Sequence, residues 1–276
     1  MSLVTIDNTT LASIANAIRE KNGTTDAYKP SEMPTAISNI ETGGGSGGAY
    51  APRYIKFAGY TGTELDYELE NLDTSQVTSM SEMFKECTKL TSLAPKFDVT
   101  NVTSMYYFSY GNTSLSTADL SSFGVSAVKN TSYMFANCSK LQSVNLENFV
   151  TPDLGNASYM FNLCNILRNI NVSKMVTTNV TNMSYMFRGT KVTELDLSNF
   201  ETPNVTNMGS MFYQCSSLTR LDIRNFTFDK VTSYSNMFAG VPTNCRIIVK
   251  DDTAKAWIRE KFSNLGLTNI KTVAEL

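Results

Sequence analysis

The sequence predicts an α/β repeat solenoid, and three observations predict it. A unit of 25 to 26 residues recurs seven times, its apolar positions stay in register, and its periodicity switches from helix-like to strand-like within each unit. A repeat of this length cannot bury its apolar face alone, so successive units must stack into one continuous core. The clearest unit is Met83-Phe84-Lys85-Glu86-Cys87-Thr88-Lys89-Leu90, matched around Met134, Met160 and Met211.

The first half of the unit has its apolar side chains at offsets 0, 3, 6, 7 and 10 from a leading valine. That column reads Val77, Val102, Val128, Leu154, Val180, Val205 and Val231, and the column at offset 7 reads Phe84, Ser109, Phe135, Phe161, Phe187, Phe212 and Phe238. These offsets lie on one face of an α-helix, so a short amphipathic helix is predicted in each repeat. The second half alternates, as in Leu141-x-x-Val144-x-Leu146 and Leu218-x-x-Leu221-x-Ile223, and predicts a short strand.

Leu-x-x-Leu-x-Leu within this period is the leucine-rich-repeat signature. Together with Met-Phe-x-x-Cys, best kept from Met186 to Phe200 and from Met211 to Phe226, it resembles the BspA-type subclass over residues 55 to 250. The resemblance implies a right-handed coil of short strands and short helices, and proteins of extracellular adhesion or recognition in bacteria and their phages. Phe108 and Ser109 depart from Met-Phe, Asn112 and Thr190 replace Cys, and the fifth unit is one residue short near Lys191.

The flanks divide the chain further. Residues 73–249 hold the solenoid and 1–42 form a small helical module, with Leu11, Ile14, Ala15 and Ile18 on one helical face. The segment Leu11 to Ile40 looks like an N-terminal element of tail-associated proteins from phages and prophages of Gram-positive hosts, which implies docking on a virion or self-association. Residues 43–48 are a Gly/Ser linker, and 49–72, alternating around Gly59-Tyr60-Thr61-Gly62, predict a hairpin covering the first coil. In 250–276, Asp251-Asp252 opens a capping helix with Ala254, Trp257, Ile258, Phe262 and Leu265 inward.

Composition narrows the function. A formal charge of -2 without a basic stripe argues against nucleic acid, and no apolar run approaches the ~18 residues of a membrane span. The start lacks the features of a secretion signal, so a virion-borne or extracellular, cell-surface location is the expectation. Histidine is absent and four of the five cysteines, Cys87, Cys138, Cys164 and Cys215, occupy one inward column, so neither a metal site nor a cofactor is expected. No nucleophile or phosphate-loop motif appears, and no catalytic residue is assigned.

Two outward columns are the candidate binding residues. Tyr107, Tyr133, Tyr159 and Tyr185 share offset 5, and tyrosine offers rigid amphipathic area for sugars or proteins. The alternative is a stack that merely covers backbone. Asp119, Asn145, Asn171, Asp196 and Asp222 lie between the strand leucines. Adjacent strands bring Asp196 and Asp222 within reach of the ~5 to 5.5 Å separation of a retaining glycosidase, or of a weak cation site. Solvated polar ladders are the ordinary reading of such a column. The resulting expectation is a non-enzymatic binding protein that meets a host-surface glycan or protein, either a phage tail receptor-binding component or a bacterial adhesin.

Overall fold

In the computed structural model, residues 57–63, 74–75, 77–125 and 127–276 are described. The helical module, the linker and most of the predicted hairpin lie outside them. The chain winds as a parallel β-solenoid of about seven coils. Each coil contributes one short strand: β1 Ser92–Leu93, β2 Thr117–Asp119, β3 Ser143–Asn145, β4 Asn169–Ile170, β5 Glu194–Asp196, β6 Arg220–Asp222 and β7 Arg246–Val249. A last strand, β8 (Ile270–Thr272), pairs with β7.

Every pairing is parallel and in register, so Thr117, Ser143 and Asn169 stand side by side, as do Ala118, Val144 and Ile170. The strands form two four-stranded sheets, β1-β2-β3-β4 and β5-β6-β7-β8, with a break between β4 and β5. That break falls where the fifth unit lacks a residue, because the shortened turn at Lys191 shifts the strand that follows. A second ladder runs past the break uninterrupted: Ser79, Ser104, Asn130, Asn156, Asn182, Asn207 and Ser233 bridge coil to coil.

The short helix predicted in each repeat is not there, and turns replace it. In the fourth coil the amides of Ala157, Tyr159, Phe161 and Leu163 donate to carbonyls of the next coil at 2.8 to 3.1 Å. The intervening amides of Asn162 and Cys164 donate three residues back, to Tyr159 and Phe161. Overlapping β-turns leave alternate amides free to join coils along the whole run, whereas a helix would leave only those of its first turn free.

The backbone angles show why the periodicity misled. At offset 5, Tyr107, Tyr133, Tyr159 and Tyr185 have φ of 56 to 60°, and at offset 9 Asn137, Leu163 and Gln214 have φ of 58 to 63°. A helix requires negative φ throughout. The turn run nevertheless directs offsets 3, 6, 7 and 10 inward, as a helix would. Gly111, Gly189 and Gly240 at offset 9 were the visible signal, since glycine enters the left-handed region without penalty.

The core is a set of parallel rows. Phe135, Phe161, Phe187, Phe212 and Phe238 stack with centroids 5.7 to 6.0 Å apart, and each is fully buried. The cysteine column is buried and free of disulfides. The thiols of Cys138, Cys164 and Cys215 donate to the carbonyls of Ser109, Phe135 and Phe187 in the preceding coil at 3.0 to 3.1 Å. Burial pushes the Cys138 thiol up to about 12 and those of Cys87 and Cys215 to about 11, so these thiols are inert core groups.

Both ends are covered. Gly59 donates to the Lys85 carbonyl, the Cys87 thiol donates to the Phe57 carbonyl, and Phe57 stacks on Phe84 at 5.6 Å. At the other end α1 (Asp252–Lys261) begins at Asp251, whose carboxylate accepts from the Ala254 amide at 3.0 Å. Ala254 and Ile258 of this helix are buried, Phe262 meets Phe238 edge-on at 5.0 Å, and Trp257 stacks on Phe228 at 4.2 Å. The lone tryptophan is part of this cap. No helix among the described residues is long and apolar enough to cross a membrane.

Candidate functional site

The tyrosine column becomes a continuous row. Tyr107, Tyr133, Tyr159 and Tyr185 lie ring over ring at 4.7, 4.3 and 4.3 Å, with interplanar angles of 13°, 7° and 11°. Coil spacing sets the distance, and the left-handed φ points each ring along its neighbour. Stacking of this kind adds ~0.5 to 1.5 kcal/mol per pair beyond burial, which offsets the strain of holding tyrosine at positive φ.

Mutual stacking changes what the row offers a ligand. The faces of Tyr133 and Tyr159 are covered on both sides, so neither can act as a platform; ring edges and phenol hydroxyls remain. Tyr106 and Tyr110 pack edge-on against Tyr107 at 4.3 and 4.6 Å, and Tyr110 accepts a 2.8 Å hydrogen bond from Asn137. Cations terminate the row: the Lys85 ammonium lies 5.5 Å from the Tyr107 ring, and the Arg188 guanidinium lies 5.8 Å from Tyr185 and 5.5 Å from Tyr213. Lys85, Tyr106, Tyr110, Arg188 and Tyr213 were missed in the sequence because they sit one or three residues off the tyrosine column.

Burial raises the Tyr133 and Tyr107 hydroxyls above the ordinary phenol value of 10.0 and takes Tyr159 to about 12. The folded state therefore keeps protons that the unfolded chain releases. This contribution is fully present below pH 10 and is lost as pH rises through about 12. Melting temperature is thus expected to fall over that window while phenolate absorbance develops late. Phenols that all titrate near their free value without loss of stability would show that the rings do not stack.

The Asp/Asn column has a different local role. Asp119, Asn145, Asn171 and Asp196 each accept the amide two residues on, at 2.9 to 3.1 Å, closing a turn after the strand. Asp196 and Asp222 are register partners. Asp222, however, is completely buried beneath Arg220 and Arg224, which contact it at 2.7 and 2.5 Å. Its hydrogen bond holds the Arg224 guanidinium above its usual range. For Asp196, burial works upward but is outweighed by the Ser198 hydrogen bonds and the charges of Arg220 and Arg224, so its carboxyl is lowered.

Beside this column lies a shallow open groove of about 710 Å³, where Asp119, Asn145 and Asn171 meet Arg168, Thr193 and Glu194. It spans the break between the sheets. Its only advance sign was the missing residue at Lys191. Among the described residues no group of three or more His, Cys, Asp or Glu could hold a metal ion.

Stacked turns, parallel in-register strands and a row of identical outward side chains define a solenoid repeat protein. The profile of a family described as Mycoplasma protein of unknown function, DUF285, matches residues 55–171 and again 141–250, and the chain belongs to that family. The two matches overlap over residues 141–171, little more than one repeat, as expected where one coil resembles the next. No curated protein matches the chain.

Proposed function

We propose that the protein is a non-enzymatic recognition module of the BspA-type leucine-rich-repeat class, serving as a tail-associated receptor-binding component of a phage or prophage. The observation that carries this reading is the row of four stacked tyrosines at 4.3 to 4.7 Å. Such a row presents hydroxyls and ring edges at a fixed spacing on a rigid scaffold, so little ordering entropy opposes binding. Tyrosine and arginine together are the side chains that most often dominate interfaces.

The carboxylate column supports the absence of catalysis. A retaining pair needs one carboxyl free to donate a proton and the other free to attack. Both Asp222 oxygens are occupied by guanidiniums, and Asp196 is engaged by Ser198. What supports attachment to a particle is the N-terminal segment Leu11–Ile40, with its resemblance to tail-associated elements, joined through the Gly43–Gly48 linker. A bacterial surface adhesin is the second reading; it shares the solenoid's binding surface and differs in what holds residues 1–42.

Serine fits the tyrosine position, because Ser210 occupies the same column with φ 54°. A Tyr133→Ser, Tyr159→Ser, Tyr185→Ser variant should therefore fold and lose at least tenfold in binding to host cells, measured with purified protein against a panel of Gram-positive strains. Undiminished binding by a folded variant would remove the ridge from the function.

A further inference from the structure

Charge is distributed unevenly around each coil. From Val102 onward, the carboxylates of the solenoid are confined to the strand and the loop after it: Asp119, Glu147, Asp153, Glu194, Asp196, Glu201, Asp222 and Asp229. The stretch from the valine column through the turns to the start of the strand holds none in any of coils two to seven. That same stretch carries Lys129, Lys140, Arg188 and Lys191, all at least partly exposed and, among the described residues, none ion-paired to a carboxylate, while its Arg168 lines the groove with Asp119 and Glu194. Only the first coil breaks the pattern, with Glu82 and Glu86 flanking Lys85.

A near-neutral protein thus turns a cationic side outward along the tyrosine row. Arg188 stays in place through the Tyr185 and Tyr213 rings and a 3.3 Å hydrogen bond to Asn162, and the Lys191 ammonium donates to Ser216 at 2.7 Å. Aromatic edges carry the positive end of the ring quadrupole, and the hydroxyls between them are donors. Over about 13 Å along the row, the groups offered to a ligand are phenol hydroxyls, which donate as well as accept, and ring edges of positive character, with Arg188 at one end and Lys85, beside Glu82 of the same column, at the other.

We propose, resting on the recognition role above, that this side binds a linear anionic glycan whose negative groups are carboxylates or phosphodiesters. Hydroxyl-rich chains satisfy the tyrosine and serine hydroxyls, while the repeated charge meets Lys140, Arg188 and Lys191 across coils three to five. Single-stranded nucleic acid is disfavoured because base stacking needs open ring faces, and here neighbouring rings cover them.

The test measures binding of the full chain to a polyuronate, a poly(glycerol phosphate), neutral dextran and single-stranded DNA at two ionic strengths. The proposal expects binding to one or both charged glycans, weakened by salt. It also expects a loss of about tenfold or more in Lys140→Gln, Arg188→Gln, Lys191→Gln, with surface pairs of this kind each contributing modestly. A Lys140→Gln, Lys191→Gln variant, which leaves the stacked arginine alone, should show a smaller loss in the same direction. Which charged glycan binds distinguishes carboxylate from phosphodiester. Equal, salt-insensitive binding to dextran would overturn the charge assignment, and DNA bound more tightly than either glycan would overturn the glycan assignment. Unchanged affinity in both cation variants would also overturn it. Tyrosine-dependent capture of cells without affinity for either polyanion sinks this inference and leaves the recognition role standing, whereas tyrosine-independent capture sinks the role itself.

Discussion

Phe161→Ala is expected to destabilise the solenoid by ~3 to 5 kcal/mol, the range for truncating a buried phenylalanine. Phe161 is fully buried between Phe135 at 5.9 Å and Phe187 at 5.8 Å, so its removal leaves a gap open to both adjacent coils. Coil-to-coil coupling is the dominant source of stability in a linear repeat array. The strand ladder is already interrupted between β4 and β5, just beyond this residue. Denaturant unfolding followed by circular dichroism and by Trp257 fluorescence should therefore become two-step, the tryptophan reporting only the C-terminal block. A loss below ~1 kcal/mol with coincident probes would mean that the aromatic row is not what joins the coils.

Restoring the repeat consensus in the second coil should act in the opposite direction. There Phe108 and Ser109 stand where other coils have Met and Phe, and Asn112 replaces the cysteine. Asn112 is completely buried; its amide donates to the Ser109 hydroxyl at 2.7 Å, while its Oδ1 has no partner. An unsatisfied buried polar atom costs ~1 to 3 kcal/mol. The triple change Phe108→Met, Ser109→Phe, Asn112→Cys removes it and completes the phenylalanine row between Phe84 and Phe135. We expect a gain of about 2 to 4 kcal/mol, read from the denaturation midpoint. The Cys138 thiol bonds the Ser109 backbone carbonyl and keeps its acceptor. A neutral or destabilising result would show that the polar pair and Phe108 together already fill this coil.

The candidate site was legible in part. Equivalent outward residues had to form rows once the coils stacked, which placed the tyrosines together and brought Asp196 beside Asp222. The chemistry of the tyrosine row was not legible, because it depends on the distance between coils. At 4.3 Å the tyrosine faces serve each other, and at 2.5 to 2.7 Å two arginines occupy Asp222. The first fact does not follow from spacing along the chain; the second does, since Arg220 and Arg224 lie two residues either side of Asp222 and share its strand face. Arg168, Thr193 and Glu194 were invisible as neighbours until the sheet break brought them to one groove.

What the sequence determined alone was the repeat itself: its length, its inward columns, the buried thiol row and the need for covered ends. Each follows from burial, which a side chain's polarity announces in one dimension. What only the tertiary structure decided was the form of the first half of each unit. Helix and overlapping turns both direct offsets 3, 6, 7 and 10 inward, and the choice between them rests on where the backbone amides find acceptors. In this protein half of those acceptors belong to the next coil, about 25 residues further along the chain. No local pattern of apolar residues carries that information.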